Sequence, residues 1–361
     1  MQRSATLDAV RGILMLYIVV VIHGAVWLQL ASDQGISPWL FEMPPMFMVS
    51  GAAFWLQTRG QPGPYAAHLL KRGWRILLPY LAYGLACAIT VEVMAEASAP
   101  GWPTTLWNWL NPMLHGRAAA WSVLGAHLWF IPVFLLVTAA LPWATRWRAP
   151  AAIPPWGWLL AWVALQAAVD LIPQSQLLTL RQTVHFMGYT LLGWHLARAP
   201  EAISTRQWLG IGLAGVSGLL LMRWWQADPG VLNMQQHKFP PSTPYLLFGL
   251  SWVSLFMALG AHLPQREALA ARLVRQAWLR PFVRDGYSIY LWQGLSFSLA
   301  MAAAQRWQWP AWSALVSATL GAILFGRLTS PIERLGLQRL RWPSAPHAPR
   351  APAASAKTSR A

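Results

Sequence analysis

The sequence predicts an all-α, polytopic membrane protein, a bundle of about ten transmembrane helices with no soluble domain. Three observations predict it. Of 361 residues, 56% are hydrophobic and only 11% are charged, against roughly 25% charged residues in soluble domains. Apolar stretches long enough to cross a bilayer recur along the chain. The basic residues, 27 Lys and Arg against 11 Asp and Glu for a net charge of +16, fall in alternate loops. The apolar content excludes intrinsic disorder for the body of the chain. The single cysteine, Cys87, permits no intrachain disulfide and no cysteine-based metal site.

A helix needs about 20 mostly apolar residues to cross the hydrocarbon core. The first such stretch, 13–30, reads ILMLYIVVVIHGAVWLQL and carries no formal charge. The spans that follow make it an uncleaved anchor rather than a signal peptide. They lie at 38–56, 75–95, 127–145, 156–172, 179–197, 207–226, 243–263, 286–304 and 310–328. Pro79 and Pro132 fall inside spans, where membrane helices tolerate them better than soluble ones do.

Ten spans place both termini on one side, and the positive-inside rule tests that count. Twenty-two of the 27 Lys and Arg fall on the side of the termini. Arg117, Arg181, Arg223, Lys238 and Arg306 fall on the other side or at helix ends near it. The expected location is therefore the cytoplasmic (inner) membrane, with both termini cytoplasmic. This distribution also excludes nucleic-acid binding, which gathers basic residues on one polar face; dealt out by loops, they orient the chain and attract anionic lipid. The 25 Trp residues, such as Trp102, Trp107 and Trp109, read mainly as interfacial anchors. One membrane domain, 1–336, fills most of the chain. The remainder, 337–361, a basic Pro/Ala/Ser mixture without periodicity, is expected to be a disordered cytoplasmic tail.

Ionisable groups inside spans are expensive and mark candidate sites. His23 lies about 15 Å into the first span at 1.5 Å per residue. There an imidazole serves either as a general base, its ordinary pKa being near neutrality, or as a packing residue bonded to a neighbouring helix. Arg11, in LDAVRG, has Asp8 three residues earlier on the same face and reads as a topological anchor or a ligand group. Arg72 and Arg75, in KRGWR, share a helix face and suit bidentate contacts to phosphate. On the extracytoplasmic side, Glu42, His127, Trp129 and Lys238 are candidates to receive a polar acceptor, or to decorate an interface. His185 and Glu92 carry no motif and read as structural. No GxSxG elbow, HExxH helix or Walker loop is present, and no metal is expected.

Taken together, LDAVRG with its in-membrane His, FEMPPMFMVSG, RGWR running into ILLPY, and HLWFIPVFLL resemble the acyltransferase-3 family of membrane acyltransferases. KFPPSTPYLL, SIYLWQG and SPIERLG continue the resemblance in order, from residue 7 to about 336. It implies a ten-helix fold that moves an acyl group, acetyl or succinyl, from cytoplasmic acyl-CoA to a hydroxyl of an extracytoplasmic glycan or small acceptor. Acetyl-CoA is the foremost co-substrate. His23 resembles the family's first-helix histidine, Arg11 the arginine before it, and Arg72 and Arg75 the donor-associated pair. Two rival readings are a transporter or flippase for an anionic lipid or glycan, and an amine acetyltransferase.

Two departures from the family pattern stand out. Eleven residues separate Arg11 from His23, where the family usually has ten. At about 100° per residue the usual spacing leaves the two side chains some 20° apart and this one about 120°. Either the helix carries a one-residue π-bulge or the pair does not share a face. Gln293 ends SIYLWQG where the family often has His, and it cannot act as a base. That leaves His23 as the catalytic candidate.

Overall fold

The structure, a computed structural model, describes residues 4–58, 64–94, 101–114, 122–145, 155–173 and 177–335. No strand occurs among the described residues; the only extended pairing is an isolated bridge between Lys238 and Pro241. A helix stands at each of the ten expected places. They are α1 (Ala5–Trp27), α2 (Met43–Thr58), α3 (Tyr65–Met94), α4 (Val123–Ala144) and α5 (Pro155–Asp170). Then come α6 (Leu178–Arg198), α7 (Thr205–Gln226), α8 (Thr243–Ala261), α9 (Arg280–Trp307) and α10 (Ala311–Arg334). Six of the ten, α1, α3, α4, α7, α8 and α10, are long and apolar enough to cross a membrane. Of the others, α6 and α9 dilute their hydropathy with buried polar side chains such as Arg181, His185, Ser288 and Gln293. The chain is an all-α, multi-pass membrane protein. The proposed tail, 337–361, lies outside the described residues.

Helix ends differ from the apolar windows because hydropathy reports the buried middle of a helix and not its polar ends. Thus α1 begins at Ala5, capped by the Ser4 hydroxyl, so that Asp8 and Arg11 are helical. Likewise α3 begins ten residues before its window, and Arg72 and Arg75 sit one turn apart on it. In contrast α2 starts late, at Met43, with Pro44 and Pro45 in its first turn, where a missing N–H is harmless. One tryptophan departs from its expected role. Trp102 and Trp107 are exposed, but Trp109 is buried, and its carbonyl accepts the Tyr80 hydroxyl at 2.8 Å.

Lipid offers no hydrophobic drive between helices, so close backbone approach must hold them together. Between α2 and α6 glycine permits it. A Cβ on Gly51 would lie 1.8 Å from the Thr190 carbonyl oxygen, and one on Gly193 would lie 1.9 Å from that of Met48. Further pairs are α9 with α10, α7 with α8, and α1 against α9. The outward faces of α7 and α10 carry exposed Leu213, Leu221, Trp224, Leu320 and Leu324. Several polar side chains inside the bundle pair with one another: Gln166 bonds His185 and Asp170, Arg181 bonds Asp170, and the Glu92 carboxylate accepts Thr105.

Two features shape the end of the bundle that carries Ser4 and Glu333. The short helix Arg266–Leu273 docks on the start of α1 through Glu267, which accepts the Ser4 hydroxyl at 3.1 Å and the Thr6 amide at 2.8 Å. The Thr6 hydroxyl, which also bonds Glu267, holds its carboxyl below the usual range. The second feature is a break in α9 at Asp285, where φ is −120° and ψ is 18°. Beyond it, the Ser288 amide and hydroxyl both donate to Glu333 of α10. A carboxylate drawn into the helix ladder is a recognised cause of such a bend.

Candidate active site

A cavity of about 600 Å³ opens at that end of the bundle, between α1, α2, α3, α4, α9 and α10. Ligand pockets typically hold about 300–1,000 Å³. Its lining on α1 is Ser4, Leu7, Asp8, Arg11, Met15 and Ile18, one stripe with the three- and four-residue spacing of a single helix face. From Ser4 to Ile18 the stripe runs about 21 Å at 1.5 Å per residue, well into a hydrocarbon core about 30 Å thick.

Four guanidiniums, those of Arg11, Arg72, Arg75 and Arg284, line the cavity together with two carboxylates, Asp8 and Glu333. Arg11 donates to Asp8 at 3.1 Å and to the Val283 carbonyl at 3.0 Å. Arg72 donates to Gln57 at 3.2 Å. The excess of cations at a wide mouth makes this end attractive to a polyanion. Sequence reasoning brought Arg11, Arg72 and Arg75 forward but passed over Arg284 and Glu333. Both look like ordinary loop or end charges in the sequence; in the fold Arg284 is an exposed residue at the cavity rim, its Nε 3.6 Å from Asp285.

His23 lies beyond the inner end. It does not line the cavity; Ile18, five residues earlier, is the last α1 side chain that does. The residue between them is Tyr290, which lines the cavity and whose ring centre lies 6.2 Å from that of His23 and 5.3 Å from that of His127. The half-buried His23 ring is turned into the bundle, stacked on Trp27 at 4.2 Å and 8°. Here the spacing question is answered. Residues Tyr17–Ile22 form a π-helical turn, which absorbs the extra residue and brings His23 back toward the Arg11 face.

The His23 Nδ1 lies 2.9 Å from the Gln293 Oε1. With that oxygen facing it, the ring matches the tautomer protonated at Nδ1, which leaves Nε2 its lone pair as a general base requires; the Gln293 Nε2 is buried with no hydrogen-bond partner. Gln293 is fully buried. Next to it Gly294 admits its neighbours closely, since a Cβ there would lie 2.5 Å from both the His127 ring and the Tyr83 hydroxyl. Gln293 is thus the orienting partner of the histidine. The sequence showed that it could not be a base, without showing what it touches. Replacing it by leucine removes the acceptor and frees the ring to turn. On the expectation that His23 is the base, its misplacement costs up to about 10²-fold, so Gln293→Leu is expected to lower kcat by about that factor. Gln293→Glu, which keeps an acceptor oxygen, is expected to lose less in steady-state assays.

The other candidates lie apart from the cavity lining. His127 is buried and donates from Nε2 to the Leu291 carbonyl at 3.0 Å, while its Nδ1 is buried with no hydrogen-bond partner. Glu42 and Lys238 form a buried ion pair with one another, and the second Glu42 oxygen has no hydrogen-bond partner. Trp129 is half-buried, edge-on to Phe239 with ring centres 4.8 Å apart. The two histidines and Tyr290 are therefore one cluster, and the buried Glu42–Lys238 pair lies within electrostatic reach of it. No group of three or more potential metal ligands occurs among the described residues.

A family profile described as "Acyltransferase domain" matches residues 4–329, which takes in the cavity, the histidine cluster and nearly the whole helical bundle. The chain belongs to the acyltransferase-3 family. No curated protein and no solved structure gives a match. As a member of that family the protein is a membrane acyltransferase, moving acyl groups other than aminoacyl groups.

Proposed function

We propose that the protein transfers an acyl group from a cytoplasmic acyl-CoA to a hydroxyl of an extracytoplasmic acceptor, a glycan or a small hydroxylated molecule, across the cytoplasmic (inner) membrane. The observation that carries this reading is the continuity of the cavity from four arginines to Tyr290, beside His23. The arginine mouth lies at the end of the bundle that carries Ser4 and Glu333, the side that the basic loops assign to the cytoplasm. A coenzyme whose charge resides on phosphates fits that mouth, with Arg11, Arg72, Arg75 and Arg284 as its partners. Its pantetheine arm then extends along the α1 stripe and brings the thioester to Tyr290.

The chemistry follows from the tautomer. The His23 Nε2 removes the proton of the acceptor hydroxyl as its oxygen attacks the thioester carbon. The tetrahedral adduct collapses with cleavage of the C–S bond, giving the ester, and the imidazolium returns its proton to the departing thiolate. His127, Trp129, Glu42 and Lys238, outside the donor cavity, are the acceptor-side residues in this reading.

Two measurements test it. Purified protein with radiolabelled acetyl-CoA is expected to release CoA and label an acceptor from the cell envelope; a transporter would do neither. Arg72→Ala and Arg75→Ala are each expected to raise the KM for acyl-CoA about tenfold, in the range of a charge-assisted hydrogen bond. They should leave kcat nearly unchanged, because these contacts do not touch the reacting carbon. A loss confined to kcat would remove both arginines from donor binding.

A further inference from the structure

The donor cavity changes character along its length. All four of its guanidiniums sit toward the mouth: Arg11 lies seven residues before Ile18 on α1, and Arg284 lies six before Tyr290 on α9. Inward of Met15 and Ser50 the lining is Ile18, Met43, Met46, Phe47, Phe130 and Phe134, closed by Tyr290. These aromatic rings form one wall. Phe47 meets Phe130 and Phe134 edge-on, each with ring centres 6.0 Å apart, and Phe130 meets Tyr290 at 5.3 Å. The Tyr290 hydroxyl already donates to the His127 carbonyl at 2.7 Å. Lys238 does not line the cavity and is paired with Glu42.

Resting on the donor reading above, we infer that this cavity takes an acyl-CoA with an uncharged acyl group and rejects dicarboxylic donors such as succinyl-CoA, because its aromatic inner end offers a second carboxylate no counter-charge. With the phosphates at the arginines and the thioester at Tyr290, the acyl group lies among Phe47, Phe130 and Met46. A methyl or short alkyl group gains by leaving water there. A carboxylate there loses its hydration and meets no cation among the inner lining residues, while the Tyr290 hydroxyl is engaged by the His127 carbonyl and nearby Lys238 is neutralised by Glu42, a strongly unfavourable transfer. Specificity then comes from a penalty on the charged donor rather than from an added contact to the neutral one.

Competition against labelled CoA on the purified full-length protein in detergent decides this. CoA and acetyl-CoA are expected to bind with similar affinity, and succinyl-CoA at least about tenfold more weakly than acetyl-CoA, as befits an unpaired buried charge. Met46→Lys, which puts an ammonium at the inner end on a side chain of similar length, is expected to shrink that gap several-fold. Succinyl-CoA binding as tightly as acetyl-CoA would overturn the inference, while the binding of CoA itself would leave the donor reading standing. A gap that Met46→Lys leaves untouched would also overturn it, by placing the discrimination elsewhere; should that variant not fold, the wild-type comparison decides alone. No binding of CoA at all would overturn both readings.

Discussion

Replacing His23 by alanine is expected to abolish acyl transfer, by about 10²- to 10⁴-fold, the usual contribution of general-base assistance, while the bundle folds and inserts normally. The expectation of normal folding has a structural basis. The ring is half-buried and makes one side-chain hydrogen bond, to Gln293, and one stacking contact, to Trp27. The π-turn of Tyr17–Ile22 ends before it and does not depend on its side chain for hydrogen bonds. The variant should therefore bind acyl-CoA as the wild type does, because the arginines and the cavity wall are untouched. Activity above about a tenth of wild type would remove His23 from the chemistry. Loss of acyl-CoA binding along with activity would show that the imidazole matters to the architecture instead.

Breaking the Glu42–Lys238 pair has the largest expected effect on stability. Both side chains are buried, and Glu42 has an oxygen with no hydrogen-bond partner, so the lysine is its compensation. Removing one member of a buried pair costs about 3–5 kcal/mol because the other charge is left stranded. Lys238→Met is thus expected to lower the midpoint of thermal unfolding in detergent sharply. The double variant Glu42→Gln with Lys238→Met, which strands no charge, should recover most of the loss. A double variant no more stable than the single one would show that the pair is not coupled in this way.

Much of the fold is legible in the sequence, for reasons that apply to membranes specifically. The bilayer imposes one length on every span, and the basic loops record its sidedness, so the ten positions follow from hydropathy and charge alone. What stays hidden is whatever depends on contact between distant segments. Glu42 and Lys238 lie 196 residues apart, and each alone resembles a polar decoration. The departure at Gln293 looks like the loss of a base. The fold makes it the hydrogen-bond partner of a histidine 270 residues away. The spacing between Arg11 and His23 did carry a usable signal, since one extra residue demands either a bulge or a lost face, and the helix takes the bulge. Arg284 and Glu333 gave no such signal. Only the break at Asp285 and the bond from Ser288 show why they reach the cavity.

In the proposed function one reaction joins two sides of a membrane through the His23 cluster. With the arginine mouth cytoplasmic, inverted membrane vesicles expose it outward, so labelled acetyl-CoA added outside reaches the donor cavity without crossing the bilayer. Label should accumulate on material inside the vesicles, protected until detergent is added, and vesicles bearing His23→Ala should accumulate almost none. Label that stays on the outer face, or that accumulates equally with His23→Ala, would contradict the account.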